Sequence, residues 1–245
     1  MMILTYSFYF CDMRLLKNLK TIIFDILFPP LCLACEKYIG KNCVELICQP
    51  CASSITILSA PQCPTCGGRL PMNTKACHSN APYLLAAATT YANPAIQQLI
   101  WQLKFKHHSA AAKILAQLLN RHIQASNLKL SSFLIVPVPL HISRERKRGY
   151  NQSALIAKEL GALLNIPVEL NALTKIHATE AQTKMKTHAD RKKNLINAFK
   201  CDELSKSQIV LVDDVTTSGA TLEEAVKALR QAGAHRVIAA VVARA

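Results

Sequence analysis

Nine of the ten cysteines precede Tyr83, and six of them form Cys-x-x-Cys pairs: Cys32 with Cys35, Cys48 with Cys51, and Cys63 with Cys66. This spacing lets two thiolates approach one ion from a single tight turn. Two such turns complete a tetrahedral sulfur shell at about 2.3 Å from zinc. Twelve residues separate Cys35 from Cys48, which suits a small ribbon closed over one ion by Cys32, Cys35, Cys48 and Cys51. Disulfides are the competing reading. No export signal is visible, and the reduced thiols of a cytoplasmic protein favour zinc.

Cys63-Pro64-Thr65-Cys66-Gly67-Gly68 reads as half of a second site, with Gly67 allowing the sharp turn behind the second thiolate. Its other half is incomplete. Cys77 supplies one thiolate and Asn80 stands where a second would be, leaving His78 or Cys43 as fourth ligand, or no metal at all. A closed four-ligand shell leaves no position for substrate, so these sites are expected to be structural.

At 245 residues the chain has room for one larger core beside this module. The expected division is an extension over 1–28, a zinc-ribbon module over 29–82 and one further domain over 83–245. Met1–Phe10 is apolar, but about half as long as a membrane helix, so no stable membrane insertion is expected and Met13 is an alternative start. The formal charge is +14, with twelve Lys and Arg against five acids in 141–200. A face this basic attracts polyanions without choosing among nucleic acid, membrane and small phosphates.

Beyond the module, strand and helix patterns alternate. Leu84–Tyr91, Phe133–Val138, Val168–Leu173, Gln208–Val212 and Arg236–Val242 are expected strands. Helices are expected from Asn93-Pro94, over Ala110–Ile123, Ser153–Leu164 and Thr221–Gln231. Trp101, beside Ile100 and Leu103, is expected in the core. The alternation implies an α/β fold with a mostly parallel sheet covered by helices on both faces. Ligands of such sheets bind beyond the carboxyl ends of the strands.

One strand end carries the chemistry. Ile209–Val212 leads into Asp213 and Asp214, then Val215, Thr216, Thr217, Ser218, Gly219, Ala220 and Thr221, where a helix begins. Hydroxyls, backbone N–H groups and the positive helix end suit a phosphate. The two acids would repel it unless they face vicinal sugar hydroxyls, so phosphate plus ribose is the expected ligand. No lysine follows the glycine, which excludes a Walker loop.

These residues resemble the phosphoribosyl pyrophosphate (PRPP) motif of type I phosphoribosyltransferases. Val136-Pro137-Val138-Pro139-Leu140-His141 with Arg144 and Arg148-Gly149-Tyr150-Asn151-Gln152 resembles the signature of the ComF family of competence-associated phosphoribosyltransferase-like proteins, which includes GntX-type members. Thr179, Gln182, Arg191, Asn194, Asn197, Ala198 and Phe199 resemble its next block, and the leading ribbon fits as well.

The resemblance implies that Asp213 and Asp214 hold the ribose hydroxyls and that Thr216–Thr221 hold the 5-phosphate. Arg144 and Arg148, or Lys147, would meet the pyrophosphate, and Lys175–Lys193 would form a hood. It also implies Mg²⁺ with PRPP and a cytoplasmic role in DNA uptake, and together with the +14 charge it suggests single-stranded DNA and a competence helicase as partners, with Lys192 and Lys193 as DNA contacts. Lys175 stands where relatives carry arginine, and Thr216 replaces an aliphatic residue. Two functions follow: pentosyl transfer to an acceptor the sequence does not name, or a non-catalytic DNA- or helicase-binding module regulated by PRPP.

Overall fold

The computed structural model describes residues 29–39, 46–70, 77–176 and 197–245. Met1–Phe10, Cys43, and the hood positions Thr179, Gln182, Arg191, Lys192, Lys193 and Asn194 lie outside the described residues. In chain order the elements are α1 (Gln49–Ser54), β1 (Leu84–Thr90), α2 (Pro94–Phe105), α3 (Ala111–Ala125), β2 (Leu134–Pro137), α4 (Ile142–Arg148) and α5 (Gln152–Leu164). They continue with β3 (Leu173–Lys175), β4 (Phe199–Cys201), β5 (Gln208–Thr216), α6 (Ala220–Gln231) and β6 (Arg236–Arg244).

Strands β1, β6, β5 and β2 lie in that order in one parallel sheet, while β3 and β4 pair antiparallel in a separate ribbon. Alternate residues of the central strands feed two cores. Ala86, Val210, Val212, Ile238 and Ala240 pack with α2, α3 and α5. Leu85, Ala87, Ile209, Leu211 and Ala239 pack with α6 and the β3–β4 ribbon. The period of two sends every second side chain to the opposite face, and each face is closed by its own layer.

The cysteine module does not hang free. Gln62 and Leu85 exchange N–H···O bonds of 2.7 and 3.0 Å, and Leu58 N–H donates to the Ala88 carbonyl at 2.9 Å. The Thr89 hydroxyl donates to the Thr56 carbonyl at 2.8 Å. The module therefore occupies the outer edge of β1, where unpaired backbone groups would otherwise recruit a stranger. Cys32, Ile55 and Cys63 join the same core as α2 and α3.

Several elements differ from the sequence reading. β5 runs on to Thr216 because its ladder with β6 continues to the Thr216–Arg244 pair, so Asp213 and Asp214 lie inside a strand. Val168 makes only a single parallel bridge with Ile135, and the strand nearby is Leu173–Lys175. The segment after β2 coils into α4, opened by His141, whose ring nitrogen accepts from Ser143 N–H, and closed by Gly149 at φ 80°.

Trp101 is not in the core. α2 buries Ile96, Leu99, Ile100 and Leu103, which leaves Trp101 on the opposite face, 39% exposed. No helix among the described residues is long and apolar enough to cross a membrane.

Candidate functional site

The structure gathers two ligand sets in the N-terminal module. Cys32, Cys35, Cys48 and Cys51 form one, and Cys63, Cys66, Cys77 and His78 the other, with all ligand atoms of each set within 4.8 Å of one another. A tetrahedral shell of thiolates about 2.3 Å from zinc requires sulfurs about 3.8 Å apart. Cys35 and Cys48 are 3.6 Å apart, and Cys66 and Cys77 are 3.4 Å apart. Both sets fit the ion.

Among the described residues His78 stands in the fourth position. Its Nδ1 lies 3.5 Å from the Cys63 sulfur and 3.3 Å from the Cys77 sulfur. Backbone amides prepare the thiolates: Ala34 and Cys48 N–H groups point at the Cys32 sulfur. Burial pushes the Cys32 thiol up, but the amides of Cys48, Cys35 and Ala34 outweigh it and bring the pKa down to about 7.

At the carboxyl ends of β2 and β5 a second constellation forms. Asp213 and Asp214 are buried. Asp213 Oδ1 accepts from the Ser153 hydroxyl at 2.8 Å and from Asp214 N–H at 2.9 Å. Asp214 Oδ1 accepts from Val215 N–H at 2.7 Å, and its Oδ2 meets Lys104 Nζ at 2.7 Å. Burial works against charge on Lys104, but the attraction of Asp214 prevails and holds its pKa above the ordinary value.

Arg144 and Arg148 are one helical turn apart on α4 and half-buried, whereas Lys147 points to solvent. Burial lowers the pKa of Arg148, which lies in the opposing fields of Asp214 and Arg144. Lys175, on β3, is pushed down to about 8 by burial and then by Arg144, against the pull of Asp213. Four cations from three elements thus surround one pair of acids.

The Arg148–Gln152 motif is the frame of this cluster. Arg148 donates to the Gln152 side chain, Gly149 makes the left-handed turn that ends α4, and the Tyr150 hydroxyl donates to the Leu103 carbonyl at the end of α2. Asn151 donates to the Val138 carbonyl at 3.0 Å and caps α5 through Ser153 N–H. This cap carries Ser153 to Asp213.

Next in the chain, Thr217 and Ser218 are exposed and Gly219, at φ 79°, opens α6. The left-handed backbone at Gly219 favours glycine, and a Cβ there would crowd the Tyr83 hydroxyl at 3.0 Å. Thr216 is buried at the strand end, while Ala220 and Thr221 form the first turn of α6. The loop therefore offers hydroxyls and helix-end N–H groups to one side of the acid pair.

Residues 110–245 match the family described as phosphoribosyl transferase domain, and residues 23–80 match the double zinc ribbon domain. The chain is 31% identical to competence protein F of Haemophilus influenzae over 221 residues, 84% of this chain and 93% of that protein. It is 34% identical to the DNA utilization protein YhgH of Escherichia coli over 207 residues, 78% and 87% of the two chains. The chain belongs to the ComF family of phosphoribosyltransferase-domain proteins. Competence protein ComFC of Bacillus subtilis is 34% identical over 102 residues, 41% of this chain and 40% of that protein.

Within this ComF chain, Lys104 and Ser153 are site residues that the sequence reading did not assign. Lys104 lies before the matched transferase segment, and its one signal was its place at the end of a helix entering the sheet. Replacing it by Met leaves Asp214 buried and without its cation. Removing one partner of a buried pair costs about 3 kcal/mol. Urea unfolding of Lys104→Met should show a loss of that order, largely recovered in Lys104→Met/Asp214→Asn.

Asp213 gives a pH-dependent stability. Burial, then the charge of Asp214, pushes its pKa up to about 7, against about 3.9 in an unfolded chain. Between these values the folded state binds more protons. The contribution is fully present below about pH 4 and is lost as the pH rises through about 7. Asp213→Asn should remove this slope, read as the difference between wild-type and variant urea midpoints across that range.

Proposed function

We propose that this chain binds PRPP at the ends of β2 and β5 and transfers its phosphoribosyl group in the cytoplasm, in the service of DNA uptake. The observation that carries the reading is the convergence of Lys104, Arg144, Arg148 and Lys175 on the acid pair beside the Gly219 loop. A cation excess with two carboxylates at its centre suits a ligand that combines phosphates with hydroxyls.

In this reading Asp213 and Asp214 accept hydrogen bonds from the ribose hydroxyls and fix the sugar. Thr217, Ser218 and the N–H groups of the Gly219–Thr221 turn hold the 5-phosphate. Arg144 and Arg148 face the pyrophosphate and stabilise the charge that grows as its bond to C1 breaks and the acceptor's bond to C1 forms. The acid pair and the substrate oxygens match the ligand set that Mg²⁺ prefers, one or two carboxylates plus phosphates. Bound there, Mg²⁺ would neutralise the leaving pyrophosphate. The zinc module over 29–82 acts as a structural cover for the 83–245 domain.

The names of the relatives, competence protein F and DNA utilization protein YhgH, support a role in DNA handling. So does the +14 charge. A non-catalytic version, in which PRPP regulates contact with single-stranded DNA or a helicase, uses the same site. Calorimetric titration with PRPP and Mg²⁺, followed by a pyrophosphate-release assay, separates them. Binding with release identifies a transferase, binding without release across acceptor candidates a sensor, and no binding removes PRPP from both.

A further inference from the structure

α2 presents an aromatic ridge to solvent. Trp101 is 39% exposed and Phe105 is 59% exposed. One turn apart, their rings contact each other at a centroid distance of 6.5 Å. Exposed aromatic surface on a folded domain is costly and points to a partner.

Cations flank this pair. Lys106 Nζ lies 5.0 Å from the centre of the Trp101 ring, and Arg148 Cζ lies 5.6 Å from that of Phe105. His107 meets the Tyr150 ring edge-on at 6.1 Å just beyond. Flat rings alternating with cations suit a chain whose flat bases alternate with phosphates. Aromatic faces stack on bases of any sequence, while Lys and Arg track the backbone. The bases of a duplex are already stacked on one another and offer no free faces.

We infer that the Trp101–Phe105 face of α2, flanked by Lys106 and Arg148, is a base-stacking platform for single-stranded nucleic acid. It gives the DNA-handling reading above a location and rests on that reading. The ridge belongs to α2, ahead of the matched transferase segment, and Arg148 joins it to the acid pair.

Trp101 is the chain's one tryptophan, so its fluorescence reports on this face directly. The full-length protein is titrated with oligo-dT at low salt, following tryptophan emission together with the anisotropy of a labelled copy. An abasic oligomer of equal length and a duplex are run beside it. The expected result is strong quenching by oligo-dT that the abasic oligomer and the duplex do not reproduce. Phe105→Ala and Trp101→Leu should weaken oligo-dT binding by roughly 5- to 100-fold, with zinc content and melting temperature unchanged.

Oligo-dT binding without quenching would overturn the platform and leave the DNA reading standing. No binding at low salt would sink both. Equal quenching by free thymidine, or by duplex, would overturn the single-strand assignment. Emission already shielded from iodide in the free protein would show the ridge covered by the chain itself, and would overturn the proposal too.

Discussion

Asp213→Asn/Asp214→Asn should abolish the PRPP binding expected of the wild-type protein in the presence of Mg²⁺. In the proposed complex each carboxylate would accept a hydrogen bond from a ribose hydroxyl, and a bond to a charged acceptor contributes about 1.5–3 kcal/mol. Losing both raises the Kd by at least roughly a hundredfold. The two acids should not contribute equally. Burial and the charge of Asp214 push the Asp213 pKa up, which weakens its charge near neutral pH, so Asp213→Asn alone should have the smaller effect. Asp214 is locked by Val215 N–H and Lys104, and Asp214→Asn carries most of the loss. Calorimetry on the three variants reads this order directly. Unchanged affinity in the double variant would remove the acids from the ligand site.

Zinc removal is the second large effect. The purified protein should hold two zinc ions per chain, measured by elemental analysis. Cys51→Ser should lose one of them and His78→Ala the other, because each breaks a different ligand set. Structural zinc in small modules contributes about 10–16 kcal/mol of binding free energy that is also folding free energy. The first shell matters beyond its own module: Cys32 is buried and shares a core with α2 and α3. Chelation should therefore lower the melting temperature of the whole chain and expose the edge of β1, which the 56–62 segment pairs. Cobalt replacement gives an independent reading, since a shell of four sulfurs and one of three sulfurs and a nitrogen absorb differently. A single metal equivalent in the wild type would deny His78 its role.

Cysteine spacing, an apolar strand ending in two acids, and a Thr/Ser-Gly turn are local patterns. Local patterns are legible because thiolate pairs on one turn, or hydroxyls at a helix start, depend on residues within a few positions. That is why the first zinc shell, the α/β class and the acid–loop segment could be read from the sequence, along with the motif from Arg148 to Gln152. Boundaries were less legible. β5 extends through the acids because β6 pairs with it that far, a fact about another strand.

Sequence alone therefore says which groups exist and which lie on one turn or one strand. Tertiary structure decided which distant groups meet. Lys104 and Asp214 are far apart in the chain, and Nζ reaches Oδ2 because the fold brings the end of α2 to the carboxyl end of β5. Ser153 reaches Asp213 through the cap made by Asn151. His78 stands beside Cys63 because the turn after Cys77 folds back onto it. Trp101 faces water, since only packing could say which side of an apolar helix the core would take. Charge and burial act through space, and the same packing that buries Asp213 sets its pKa.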